Sequence, residues 1–320
     1  MRKKQFDIPI LFIIFRRKDT ALQVIDAIAK VKPKKLYISQ DGPRNENEKK
    51  EVLETRKAVL SRINWKCDLT LWTHKNNLGL KKHIPQAFDR VFKREKWCIY
   101  LEDDTLPSED FFYFERELLK RYEKDKRIFS INGTNFYPDK VRSKHSYYLS
   151  KMGDIWGFGL WRRSWKLYSS NMDDFGIISK TESYKNYFFS KRYRFYLETF
   201  WNAIIKGRLD SWAMQLVYAA VKNNMFFITP SVNLVNNLGY SKRSTNISIQ
   251  KYYCDFGNLF SIDSSIKTGY YKQYDNMYFE NMIKGGWLRL FSIRLYLWLP
   301  DFFKSLIKQL WAKLFFEIII

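Results

Sequence analysis

Three hundred and twenty residues, 46% hydrophobic and 28% charged, supply enough apolar material for one large domain or two, and exclude a disordered chain. A formal charge of +23 beside an aromatic share of 18% points to an anionic partner: nucleic acid, nucleotide phosphates or an acidic lipid surface. Three widely spaced cysteines, Cys67, Cys98 and Cys254, exclude a disulfide scaffold and a cysteine-rich zinc module, and make a reducing compartment the expectation.

The chain opens with Met1-Arg2-Lys3-Lys4, but the apolar run over 8–15 is too short to span a membrane. It ends at Arg16-Arg17 with no small-residue cleavage site, so it reads as a buried strand. Ala21, Leu22, Ile25, Ile28 and Ala29 recur at helical spacing and predict a helix over 20–30, closed by Pro33. A second strand over 36–39 stops at the turn Asp41-Gly42-Pro43-Arg44. A charged helix follows over 46–63, then a strand over 69–73, a helix over 84–92 and a strand over 97–101. That last strand runs straight into Glu102-Asp103-Asp104. Ser108-Glu109-Asp110 starts a helix over 111–122, and 128–132 is a further strand.

This alternation predicts an α/β fold with right-handed crossovers and a mainly parallel sheet flanked by helices. Ligands of such sheets bind outside the carboxyl ends of the strands. Arg16, Asp41, the Asn76-Asn77-Leu78-Gly79 stretch and the acidic triplet are therefore expected to converge on one crevice. Beyond Pro138 the composition turns to Trp, Tyr and Phe with scattered Lys and Arg, without repeat, low-complexity tract or linker.

Three adjacent carboxylates repel one another unless a cation or strong donors offset their charge. A divalent ion shared with a diphosphate does so, since Mg²⁺ or Mn²⁺ needs only one or two carboxylates when waters and phosphate oxygens complete its shell.

Leu101-Glu102-Asp103-Asp104, with Phe111-Phe112 and Leu118-Leu119 after it, resembles the metal-binding segment of the GT-A nucleotide-sugar glycosyltransferases. The likeness is to N-acetylglucosaminyltransferase I and to bacterial family 2-type relatives, some described as hemolysin-like. Residues 9–16 with Asp19 resemble the opening strand of the bacterial enzymes, although Arg17 stands where they usually carry proline. Lys35-Leu36-Tyr37-Ile38-Ser39-Gln40-Asp41-Gly42-Pro43-Arg44 is similar to their second strand and loop, and Trp65, Cys67 and Asn77-Leu78-Gly79 also fit. Further on, Trp156-Gly157-Phe158-Gly159-Leu160-Trp161, Asp210-Ser211-Trp212 and Asn233-Leu234-Val235-Asn236-Asn237-Leu238-Gly239 resemble later segments of the same enzymes, so the likeness covers residues 8–245.

The resemblance implies a GT-A, Rossmann-like domain over 1–245 and an inverting, metal-dependent transfer from a nucleotide-diphosphate sugar. A UDP-sugar is the favoured donor, and Mn²⁺ or Mg²⁺ the cofactor. Asp104 would be the direct metal ligand, with Glu102 and Asp103 on metal water or ribose, and Arg16 and Asp41 holding the nucleotide. Lys81, Lys82 and His83 open a helix after the Asn-Leu-Gly loop, where cations and free N–H groups suit a diphosphate; Lys82 is taken as the phosphate contact. The base that deprotonates the acceptor is Asp210, with Asp154 in reserve. The family pattern carries a second acid directly after the Asp210-Ser211-Trp212 tryptophan, and here Ala213 takes that place. Trp156, Trp161 and Trp212 are candidates to stack on donor sugar or acceptor, and the remaining tryptophans belong to the core. His74, His83 and His145 have no metal-ligand spacing.

Two other classes compete. A nucleic-acid binder explains the charge but not the acidic triplet, and no nucleic-acid module is present in the sequence. A nucleotide-sugar-binding relative without transfer activity is prompted by Ala213. The segment over 246–320 reads as a basic aromatic tail: Phe303, Leu306, Ile307, Leu310, Trp311 and Leu314 share one helical face with lysines off it, and 287–299 is a second apolar stretch. No uninterrupted membrane span exists there. The expected placement is cytoplasmic, with amphipathic helices on an anionic inner membrane face that also carries the glycan or lipid-linked acceptor.

Overall fold

The computed structural model describes residues 5–138, 145–240, 256–257, 262–263, 270–284 and 286–299. Its first half is four parallel strands joined by helices: β1 (Ile10–Ile14), α1 (Lys18–Val31), β2 (Lys35–Gln40), α2 (Glu46–Ser61), β3 (Asp68–Thr73), α3 (Leu80–Arg94) and β4 (Trp97–Glu102). Each lies within a few residues of the element its sequence pattern predicts. The Asn45 side chain accepts from the Glu48 N–H to start α2. The short β5 (Thr105–Pro107) precedes α4 (Glu109–Arg121), whose first turn is capped by Ser108 accepting from the Phe111 N–H, and then comes β6 (Ile128–Asn132).

The aromatic second half continues with β7 (Tyr147–Ser150), β8 (Phe158–Trp161) and three short helical segments, α5 (Arg162–Trp165), α6 (Phe175–Ile178) and α7 (Glu182–Tyr187). Longer elements follow: α8 (Lys191–Ile205), α9 (Ala213–Lys222), β9 (Phe226–Pro230), β10 (Val235–Asn237), α10 (Lys272–Met282) and α11 (Gly286–Trp298). The main sheet has eight strands in the order β3-β2-β1-β4-β8-β6-β9-β7, and β10 pairs antiparallel with β5 beside it. β8 and β7 run against their neighbours, so the sheet is mixed but mainly parallel.

Alternate residues of each strand feed opposite faces. Ile10, Phe12 and Ile14 pack with α1 and α4, while Leu11, Ile13 and Tyr100 pack with α3 and α9. A further apolar cluster joins α8 to α9, α10 and α11 through Trp201, Tyr218, Phe279, Ile283, Leu290, Ile293 and Leu297. This corrects the division at residue 245: α10 and α11 are part of the packed fold. The stretch over 287–299 is not a free tail, because one face of it is buried against α8. The amphipathic pattern over 303–314 lies outside the described residues. Among the described residues no helix is long and apolar enough to cross a membrane.

One residue works against the core. Glu115 of α4 is fully buried, neither carboxyl oxygen meets a donor in good hydrogen-bond geometry, and the carboxyl presses on Gly159, where a β-carbon would stand 2.1 Å from Oε2. Burial lifts its carboxyl well above the ordinary range, with only the nearby Gly159 amide acting against that shift. The unfolded chain ionises this residue near 4.5 while the fold holds it neutral, so it erodes stability as pH rises above that value. Glu115→Met, which removes the unpartnered carboxyl at similar length, is expected to stabilise the fold by about 1–3 kcal/mol near neutral pH. Urea unfolding at pH 5 and pH 8 checks this: the gain grows with pH, and a variant weaker than wild type at pH 8 would refute it.

Candidate functional site

The strand order changes direction between β1 and β4: β1, β2 and β3 step one way and β4 lies on the other side of β1. At such a switch point the loops leaving two adjacent strands diverge and open a crevice at their carboxyl ends. The acidic triplet leaves β4 there and Arg16-Arg17 leaves β1.

Successive residues leaving a strand point to opposite sides, and the two arginines separate accordingly. Arg16 turns to α2, with Nη1 2.7 Å from Glu51 and Nε 3.6 Å from Glu48. Arg17 turns to the triplet, where Nη1 donates to Asp104 Oδ2 and lies 4.0 Å from Asp103 Oδ1. The crevice arginine is thus Arg17, and the expectation for Arg16 is corrected. Neighbouring arginines look alike to sequence reasoning; the one signal was that Arg17 departs from the resembled pattern.

Asp103 is buried, and its Oδ2 accepts from the Phe15 N–H at 3.0 Å. Glu102 faces the other side of the sheet and accepts from the Tyr100 hydroxyl at 2.8 Å. The β10 loop closes over Asp104: the Leu238 N–H donates to its carbonyl at 2.6 Å, and a β-carbon on Gly239 would lie 2.9 Å from Oδ2, so a larger residue there would push on the carboxylate. Burial, then the Asp104 charge, pushes Glu102 up to about 8 and Asp103 up to about 7. Asp104 is raised by burial against the pull of Arg17. The crevice thus holds three carboxyl groups beside one arginine, and burial keeps them partly protonated unless a further cation offsets their charge. Its donors are all oxygen, which suits Mg²⁺ or Mn²⁺, and Asp103 and Asp104 could hold such an ion. Among the described residues no three His, Cys, Asp or Glu side chains group to cage a metal by themselves. An ion here would have to take its remaining ligands from water or a bound phosphate.

The remaining candidates divide between crevice and core. Asp41 is buried and spent on its own loops: it accepts from the N–H groups of Gly42, Leu78 and Gly79 at 2.8, 2.8 and 3.0 Å and from Asn77 Nδ2 at 3.0 Å. It joins the β2 and β3 loops, which the expectation of a direct hold on a nucleotide did not include. Lys82 is exposed at the start of α3, and its neighbour Lys81 lies 3.9 Å from Asp210. Asp210 is exposed, with a side-chain accessibility of 70%. His83, in contrast, is buried on Ser39 Oγ at 2.8 Å, and burial drops it to about 4, so it offers no cation to a phosphate.

Asp154 sits at the carboxyl end of β6, with Oδ1 accepting from Ile155 and Trp156 N–H while Oδ2 is buried without a partner. It lines a small polar cavity with Asn132, Ser150 and Asp275, and burial raises its carboxyl. Trp156 is half-buried, edge-on to Phe136 at 4.8 Å. Trp161 and Trp212 are corrected to core. Trp161 is 2% exposed with Nε1 bonded to the Leu119 carbonyl at 3.0 Å, and Trp212 is 3% exposed against Tyr100, Phe158 and Phe88.

Asp41→Ala leaves three backbone amides without their acceptor, that of buried Gly42 and those of half-buried Leu78 and Gly79, and a buried loss of this kind costs about 1–3 kcal/mol. Urea unfolding is expected to show a loss of at least about 2 kcal/mol, against less than about 0.5 kcal/mol for Asp210→Ala on the exposed rim. Equal losses would return Asp41 to the list of ligand-contacting groups.

Neither a scan of protein-family models nor a search of curated protein sequences returns a match to this chain, so its reading rests on this geometry.

Proposed function

We propose that this chain is a metal-dependent, inverting glycosyltransferase of the GT-A type. It moves a sugar from a nucleotide-diphosphate donor, UDP favoured, to a cell-surface glycan or its lipid-linked precursor. The observation that carries the reading is the pairing of Arg17 with a buried acidic triplet at the switch point of a parallel sheet. Phosphate-bearing ligands of such sheets sit at that place, and excess buried acid there calls for a cation.

Asp104 and Asp103 would hold Mn²⁺ or Mg²⁺, which when bound offsets charge developing on the leaving diphosphate. Arg17, which pairs with Asp104, would donate to phosphate oxygens were that carboxylate to hold the ion. Lys81 and Lys82 add cations at the start of α3. Asp210 takes the proton of the acceptor hydroxyl as its oxygen forms the bond to the anomeric carbon and the nucleoside diphosphate departs. Trp156, half-buried, is the aromatic candidate for the sugar that lies outside the buried core. Asp104→Ala is expected to abolish the Mn²⁺-dependent rise in melting temperature with UDP-sugars, and Arg17→Gln to tighten binding of Mn²⁺ alone, because a competing cation is gone. Asp210→Asn should keep donor binding and lower transfer by about 10²–10⁴-fold. Unchanged UDP-sugar binding in Asp104→Ala, with Mn²⁺ present, would overturn the assignment.

Attachment to an anionic membrane face belongs to the same proposal, and α11 favours it. With Leu290, Ile293 and Leu297 packed inward, the helix still presents Trp287, Leu288, Phe291 and Leu295 to solvent, Leu288 at 83% exposure. The helix holds two arginines and no acid, and exposed Lys284 precedes it. Exposed aromatic and leucine side chains beside cations are the make-up of an interfacial surface. Leu288→Glu/Phe291→Glu is expected to release the full chain from phosphatidylglycerol vesicles in co-sedimentation with its melting temperature preserved. Equal binding of wild type and variant would remove α11 from the membrane reading.

A further inference from the structure

A second cleft, of about 460 Å³, lies at the amino ends of β1, β2 and β3, away from the crevice at their carboxyl ends. Phe6 stands ahead of β1, Lys32 closes α1, Trp65 and Lys66 precede β3, and Tyr113 and Arg116 come from α4. Lys30, Lys32, Lys66 and Arg116 all line it, and the acid in the lining is Glu109. Among the described residues none of these four cations makes an ion pair within 4 Å. Asp7, which also feels the charge of Arg116, is bonded to Lys120 at 2.5 Å.

The cleft is held in shape by its own loop contacts. Trp65 Nε1 donates to the Pro33 carbonyl at 3.0 Å, and Gln5 Nε2 donates to the Lys66 carbonyl at 2.6 Å. The Arg116 guanidinium lies 5.0 Å from the Tyr113 ring centre and 5.8 Å from that of Phe6. Stacked in this way, a guanidinium keeps its N–H edge for a planar or tetrahedral oxyanion.

We propose that this cleft is a second ligand site, independent of the glycosyltransferase reading, for a phosphate monoester carried on a ring. Four cations without an ion pair among the described residues, against the single lining acid Glu109, supply the attraction for the phosphate. Trp65 and Tyr113 supply ring surface that free phosphate cannot use. The volume falls within the range of small-molecule sites. A sugar phosphate and a nucleoside monophosphate share this chemistry, and their relative affinity tells which ring the walls take.

Calorimetric titration of the full chain in EDTA, which silences metal-dependent binding in the crevice, tests this with glucose 6-phosphate, AMP and inorganic phosphate. At least one ring phosphate is expected to bind about tenfold or more tighter than inorganic phosphate, and its affinity to fall as salt rises. Lys30→Glu/Lys66→Glu changes two exposed side chains and is expected to weaken that ring phosphate by at least about tenfold with the melting temperature kept. Tyr113→Ala should reduce the preference for ring over free phosphate, and Asp104→Ala should leave the affinity unchanged. No binding of either ring phosphate, equal binding of inorganic phosphate, full affinity in the lysine double variant, or loss of affinity in Asp104→Ala would each overturn the proposal.

Discussion

The structure turns on the cost of keeping three adjacent carboxyl groups under cover where β4 ends. Water cannot solvate them fully, and the Asp104 charge raises both Glu102 and Asp103 on top of burial. The fold answers from several sides: Arg17 from the β1 loop, the Phe15 amide and the Tyr100 hydroxyl donate to the carboxyl groups, while Leu238 of the β10 loop holds the Asp104 backbone carbonyl. Glu102 is tied to the α3 face through Tyr100, and Asp103 to the backbone of the β1 loop. Both layers of the sheet are thereby anchored to one acidic point. A group of this kind persists only when its surroundings over-determine it, which is why buried charge so often marks function.

Asp41 supplies a second anchor of opposite character. Its carboxylate is fully taken up by amides of the β2 and β3 loops, so that side of the crevice is rigid backbone. At the start of α3, Lys81 and exposed Asp210 meet at 3.9 Å. The crevice thus combines a locked floor with a polar, solvated rim. Binding a phosphate-bearing ligand needs the first, because preorganised groups lose little freedom on binding.

The net charge of +23 is distributed to match. At the crevice acids outnumber the nearest arginine. Further cations line the second cleft and flank the apolar face of α11. A strongly basic chain therefore presents an acid-rich crevice that favours a cation, and elsewhere basic surfaces that favour anions.

The chain's order of elements was legible in sequence wherever one physical pattern dominated. Continuous apolar runs such as 8–15 and 97–101 have no other soluble use than a strand covered on both faces, and helical spacing between them then leaves little choice but a parallel α/β sheet. The convergence of strand ends also followed, since parallel strands share a direction. The second half resisted, because Trp, Tyr and Phe rich segments carry no clean period, and β7, β8 and the antiparallel reversals depend on partners far away in the chain. Side-chain direction was decided by the tertiary structure alone. Arg16 and Arg17 differ by one step along a strand end, yet one serves α2 and the other the triplet. Trp161 and Trp212 have the composition of sugar-stacking residues, and the packing of β8 and α9 against the sheet buries them. The stretch over 287–299 reads as a free apolar tail until α8 covers one of its faces. In each case the sequence determined which chemical group was available, and packing determined which way it faced, because facing is set by neighbours that local sequence does not contain.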